Sequence, residues 1–121
     1  MSVWVWIGVA LLGGIGASGR FLLHTLIDTR VVGDFPVGTL VVNTTGALLL
    51  GVLSGLAVQG DALLLMGAAT LGSYTTFSTW MLETQRLAED GELATAAINI
   101  VLSLAVGLGA VALGHTLGAH I

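Results

Sequence analysis

The sequence predicts an all-α integral membrane protein of four transmembrane helices, the third of them broken. Composition points there first: of 121 residues, 55% are hydrophobic and only 8% charged, where a soluble domain carries roughly 25% charged residues. The charges are also segregated, so that residues 1–19, 35–60, 62–82 and 93–114 hold no Asp, Glu, Lys or Arg. Each stretch is long enough to cross a bilayer, whose ~30 Å hydrocarbon core takes about 20 helical residues. The third stretch, finally, contains the polar run Gly72-Ser73-Tyr74-Thr75-Thr76-Phe77-Ser78-Thr79-Trp80, with five Ser or Thr hydroxyls and a tyrosine. Lipid cannot hydrogen-bond such groups, so a polar, breakable segment at that depth must be buried in protein or line a cavity.

Helices are expected over residues 3–26, 37–58, 62–85 and 93–115, a single transmembrane domain covering 1–121. Segment 1 lacks a positively charged start and runs on past the length of a signal peptide, so it is expected to remain as the first helix. It closes on Gly13-Gly14-Ile15-Gly16-Ala17-Ser18-Gly19-Arg20. An arginine this close to hydrocarbon snorkels to the interface, pairs, or marks a functional site. His24 and Asp28, four apart near the helix end, read as an interfacial pair rather than a metal site, since no third ligand is close in sequence.

Segment 2 opens at Pro36, a residue suited to a first helical turn. Thr39, Asn43 and Gly46 follow at i, i+4 and i+7 and share one face. The Asn43 amide carries two donors and an acceptor that lipid cannot satisfy. It either makes an interhelical hydrogen bond, typically worth ~0.6–2 kcal/mol, or faces a polar passage. Gly51-x-x-x-Gly55 here and Gly114-x-x-x-Gly118 near the end of segment 4 fit the small-residue spacing that lets helices approach closely in lipid.

In segment 3, Phe77 and Trp80 are three apart and share a face if the helix resumes beyond the break. Their rings either pack against neighbours or aim electropositive edges into a cavity, where they can receive an anion. Glu83 is an interfacial residue or a buried acceptor. Segment 4 repeats the pattern of the second, with Asn99, Ser103 and Gly107 at i, i+4 and i+8. Three helices thus each supply a polar stripe, and together they predict a narrow track of amides, hydroxyls and ring edges nearly free of fixed charge. Such a track suits something small and well hydrated, held weakly enough to leave again.

The loops near 27–36 and 86–92 lie on one side and hold Arg30 and Arg86, while the opposite side has no Arg or Lys. The positive-inside rule puts those loops in the cytoplasm and both termini outside. A bias of two arginines is too small to fix one orientation, so insertion either way round is expected. The absence of cysteine excludes disulfides and thiolate metal sites, and a net charge of −4 gives no reason to expect a nucleic-acid partner. No nucleophile–base set or metal cluster is visible, so no enzyme is expected.

Three motifs together are distinctive: Gly16-x-x-x-Arg20, then Gly38-Thr39-Leu40-x-x-Asn43-x-x-Gly46, then Gly72-x-x-Thr75-Thr76-Phe77-Ser78-Thr79. On these, essentially the whole chain resembles the Fluc (CrcB) family of fluoride channels. The resemblance implies an inverted, dual-topology homodimer with two fluoride pores, each built by both subunits. It places the family's pore asparagine on Asn43 and its first pore phenylalanine on Phe77, while the second phenylalanine is replaced here by Trp80. Backbone carbonyls of Gly72 and Thr75 would bind one structural sodium ion at the dimer centre. Thr39, Thr79, Asn99 and Ser103 would belong to the polar track, Glu83 would be its buried acid, and Arg20 would match the arginine at the inner end of helix 1.

The implied role is passive fluoride efflux across a bacterial plasma membrane. Hydrogen fluoride enters as a neutral molecule and ionises in the cytoplasm, and the negative-inside potential then drives the ion out at ~2.3 kcal/mol per charge for each 100 mV. Two rival readings stand beside it: a non-conducting or heteromeric partner subunit of such a channel, and a small proton-coupled multidrug exporter. The exporter needs an acid deep in the membrane, whereas Glu83 lies toward the end of segment 3.

Overall fold

Helix α1 runs over Val3–Asp28, its first turn capped by Ser2, whose hydroxyl accepts from the Val5 N–H at 3.3 Å. This computed structural model describes residues 1–121 and contains no strand. After a loop in which Gly33 takes φ +127°, Pro36 precedes α2 (Val37–Gly55). That helix stops short of residue 58 because the chain turns at Ala57, φ +56°, whose N–H and that of Val58 close on the Ser54 and Leu53 carbonyls. The two halves of the third segment are α3, residues 60–74, and α4, Ser78–Glu89. Gly91, φ +80°, turns the chain into α5 (Leu93–Ala119).

Most of α3 is a π-helix over Leu64–Leu71, where the Thr70 hydroxyl donates to the Leu65 carbonyl five residues back at 2.7 Å. The wider winding is of the kind found at functional sites. The helix ends at Thr75, whose ψ of 162° is extended. The break therefore falls at residues 75–77, and Gly72, which opens the polar run in sequence, is still helical. Helix α4 restarts under a side-chain cap, the Thr76 hydroxyl accepting from the Thr79 N–H at 3.2 Å.

Three helices, α1, α2 and α5, are long and apolar enough to cross a membrane; the third segment is the broken one. Only 16 of 121 residues are buried, and large apolar side chains such as Trp4, Phe21 and Leu108 lie on the outside. An apolar exterior of this extent suits lipid rather than water.

Backbone contact, not a side-chain core, joins α2 to α5. A Cβ built on Gly51 would lie 2.3 Å from the Val111 carbonyl oxygen, and one on Gly55 2.1 Å from that of His115. Reciprocally, a Cβ built on Gly114 would run into the Leu48 carbonyl oxygen, and one on Gly118 into that of Val52. The two Gly-x-x-x-Gly motifs interlock, as close packing in lipid favours. Gly114→Ala is expected to destabilise the fold by about 1–3 kcal/mol, the cost of overpacking a tight contact, read as a lower melting temperature in detergent.

The loop ends carry a cluster of acids. The carboxyl of Glu92, just before α5, is held above the ordinary carboxylate range, first by a hydrogen bond with Asp34, then by desolvation and the negative charges of Asp34 and Asp90. A raised carboxyl stabilises the fold when protonated, and that contribution is lost as pH rises through the folded value. Glu92→Gln is therefore expected to melt above the wild type at about pH 7, with the advantage shrinking as pH falls toward about 4.

Candidate functional site

The break at residues 75–77 is held by one side chain from another helix. Asn43, two turns into α2, donates from Nδ2 to the Thr76 carbonyl and accepts at Oδ1 from the Thr76 N–H, both at 2.8 Å. The amide thus pairs with a peptide unit as a neighbouring strand would. Small residues let the flanking helices come close: a Cβ on Gly46 would sit 2.2 Å from Thr75 Cγ2, and one on Gly16 2.2 Å from Ser73 Oγ and from the Thr70 carbonyl oxygen. The Tyr74 hydroxyl meets that of Thr45 at 2.8 Å and ties the last turn of α3 to α2.

The break also releases backbone groups. The Gly72 carbonyl loses its helical partner, because the Thr76 N–H is taken by Asn43, and no other backbone N–H replaces it. The Thr75 carbonyl receives only the Arg20 guanidinium, at 3.5 Å. On the other side of the break, the N-terminus of α4 presents the positive end of a helix dipole.

Two cavities meet at Thr76. One, of about 530 Å³, is an open groove lined by Asn43, Gly72, Thr75, Phe77 and Trp80 together with apolar residues of α2 and α3. The other, of about 250 Å³, is lined by Arg20, His24, Thr76 and Thr79. Phe77 is 69% exposed, and Trp80 stands edge-on to it, ring centres 5.7 Å apart at 84°.

Behind Trp80 lies a separate polar cluster. The Trp80 indole N–H donates to the Asn99 carbonyl at 3.3 Å, and the Asn99 amide donates to Thr84 Oγ1 at 2.9 Å. Thr84 in turn donates to the Trp80 carbonyl at 2.8 Å, and Ser103 donates to Asn99 Oδ1 at 3.4 Å. Asn99 is 1% exposed, and neither it nor Ser103 lines either cavity in the single chain.

A third cluster sits between α1, α2 and α4. Thr39 donates to Glu83 Oε1, His24 Nε2 meets the Thr39 hydroxyl at 3.1 Å, and His24 Nδ1 lies 3.1 Å from Asp28 Oδ2. The His24–Asp28 pair expected from sequence is present, and Thr39 and Glu83 extend it.

Around the break the fold thus gathers Arg20, Asn43, Gly72, Thr75, Phe77, Thr79 and Trp80, with Thr39 and Glu83 in the adjoining cluster. Two contributors were not singled out from sequence: Thr76 is the peptide that Asn43 holds, and Thr84 supports Asn99. His24, expected only as the partner of Asp28, also joins Glu83 through Thr39. A four-residue spacing connects Thr84 to Trp80 and His24 to Arg20, a signal available in the sequence but shared with many unremarkable pairs.

Fold and site together define a small multi-pass helical membrane protein whose polar groups converge on a mid-span helix break. The family profile described as CrcB-like protein, Camphor Resistance (CrcB), matches residues 7–115, and the chain belongs to that family. A relative from Mycobacterium tuberculosis, named fluoride-specific ion channel FluC 2, is 55% identical over 115 residues, covering 95% of this chain and 91% of its own length. Another from Symbiobacterium thermophilum, named fluoride-specific ion channel FluC 1, is 44% identical over 121 residues, covering 95% and 96%. A third, from Haloarcula marismortui and named fluoride-specific ion channel FluC 2, is 46% identical over 102 residues, covering 82% and 86%.

Removing the Asn43 amide leaves the N–H and carbonyl of the buried Thr76 without protein partners, at about 1–3 kcal/mol for each group. Asn43→Ala is accordingly expected to melt well below the wild type in detergent and to lose amide-exchange protection around residues 74–80, which hydrogen-exchange mass spectrometry reads directly.

Proposed function

We propose that this chain is a fluoride-specific ion channel that lets fluoride leave the cell passively, reducing its toxicity, and that it works as an inverted pair of identical subunits. The observation that carries the reading is the meeting of two cavities at Thr76, one bearing Arg20 and the Thr76 and Thr79 hydroxyls, the other Asn43 and the Phe77 and Trp80 rings. The names of the relatives support fluoride as the ion. Fluoride holds its water tightly, so a path must offer donors to replace that water. The Thr76 and Thr79 hydroxyls, the second N–H of the Asn43 amide and the positive end of α4 are donors of that kind. The ring edges of Phe77 and Trp80 add weak positive potential without a cation that would trap the ion.

Roles for the remaining residues follow from their contacts. Arg20 attracts the anion to the cavity below the break. Thr39 and Glu83 reach that cavity through His24, which lines it and meets the Thr39 hydroxyl, and Asn99 with Ser103 supports the track by fixing Trp80 from behind. The inverted pairing is supported by the exposed Phe77 ring and the open groove beside it, both of which a second copy would cover. A structural sodium ion fits the freed Gly72 and Thr75 carbonyls, since two copies related by symmetry supply an all-oxygen donor set of the kind hard cations take. That ion would satisfy carbonyls that the break removes from the helical ladder. An exporter working by proton exchange is disfavoured because Glu83, the acid of the third segment, is already hydrogen-bonded by Thr39.

The test is efflux from liposomes that hold only this purified chain. Fluoride efflux without chloride flux is expected, and Phe77→Ile should slow it about tenfold, equivalent to ~1.4 kcal/mol of barrier, while the dimer still assembles on a sizing column. Absence of efflux from the pure chain, restored by adding a related chain, would mean a heteromeric partner subunit. Proton-coupled uptake of an organic cation would point to the exporter.

A further inference from the structure

The geometry points to Thr84 as a positioning residue that, together with Asn99, keeps the Trp80 indole N–H out of the anion path and leaves only ring carbon facing it. This rests on the channel reading above and adds to it a residue that lines neither cavity.

An indole has one strong donor, its N–H, and no acceptor. The rest of the ring edge is carbon and offers an anion only weak positive potential. Trp80 lines the groove beside Phe77, so the direction of its N–H decides which of the two an ion meets there. The N–H turns the other way, to the carbonyl of the buried Asn99, which lies outside the groove.

At 3.3 Å that bond is a long one. Its own strength is modest, and it is the spacing of α4 and α5 that keeps it made. Thr84 ties the two helices at this point. It is buried one turn beyond Trp80 on α4. Its single hydroxyl proton goes to the Trp80 carbonyl at 2.8 Å, and its oxygen accepts from Asn99 Nδ2 at 2.9 Å. Three bonds thus close a circuit from Trp80 to Asn99, from Asn99 to Thr84, and from Thr84 back to Trp80. Ser103, at 3.4 Å from Asn99 Oδ1, steadies the amide at its other end.

The consequence is kinetic. A hydrogen bond to an ionised acceptor is roughly twice as strong as one between neutral groups. A free indole N–H in the groove would therefore deepen one site, and an ion held more tightly leaves more slowly. Without the Thr84 hydroxyl, the buried Asn99 amide loses its acceptor, a costly state that turns the amide toward another partner. The long bond to Trp80 is then lost, and the indole is released to the ion.

Two readouts test this on the full chain. With isotope-labelled tryptophan, NMR resolves the indole protons one by one, and that of Trp80 is assigned by its loss in Trp80→Phe. In the wild type it should exchange with deuterium more slowly than that of Trp4, which lies on the outside of α1, and should not move when fluoride is added. In Thr84→Val it should exchange faster and shift downfield with fluoride, while fluoride efflux from liposomes falls about fivefold. Thr84→Ser, which keeps the hydroxyl, should restore both. In a Trp80→Phe background, where no N–H remains to be released, Thr84→Val should change efflux by less than about twofold.

A wild-type Trp80 signal that follows fluoride, or exchanges as fast as that of Trp4, would overturn the role of Thr84 even if Thr84→Val failed to assemble. Unchanged efflux in Thr84→Val, or an equal loss in the Trp80→Phe background, would overturn it as well and leave the channel reading standing. If the wild type passes no fluoride, the channel reading itself falls, and this role with it.

Discussion

The pairing of the Asn43 amide with both polar atoms of the Thr76 peptide is the interaction on which the rest of this structure depends. A helix in lipid satisfies its backbone internally, and interrupting it exposes groups that hydrocarbon cannot serve. One asparagine side chain has the donor and acceptor needed to stand in for the missing peptide. With Thr76 held, Thr75 can be extended, Phe77 can project into the groove, and α4 can begin anew under the Thr76 hydroxyl.

A broken helix has two unlike ends. The α3 end offers carbonyls, which suit a cation, and the α4 end offers N–H groups, which suit an anion. The fold therefore presents backbone groups of both polarities within one short stretch, using dipoles in place of formal charge. That economy agrees with a composition in which only 8% of residues are charged. It also separates the duties of the polar side chains, because Asn43 and the threonines work at the break while Asn99, Thr84 and Ser103 hold the indole of Trp80 from the far side.

Much of the fold was legible in the sequence because lipid imposes a simple rule. Stretches without charge mark the apolar helices, and the polar run in the third one marks the break. The location of the break within that run was less legible. Gly72 looks like the point of weakness, yet the helix continues to Tyr74, since the residue that ends it is Asn43, distant in sequence. The same limit applies to the His24–Thr39–Glu83 chain, whose members come from three segments. Periodicity identifies the face on which each residue lies but not which faces meet. Likewise, each Gly-x-x-x-Gly motif could be seen alone, whereas their mutual engagement depends on how α2 and α5 are placed.

That engagement fixes more than a contact. Carbonyls seated against glycine Cα atoms at four-residue intervals act as teeth, so α2 and α5 cannot slide past one another by less than a full turn, about 5.4 Å. Asn43 rides on α2 and Asn99 on α5, so the teeth near one membrane surface set the relative height of two amides nearer the other. A single residue inserted between Asn43 and Gly51 would leave the teeth meshed yet raise the clamp by about 1.5 Å and swing it through roughly 100°, away from the peptide it serves. The glycine zipper is in this sense a vernier for the distant helix break.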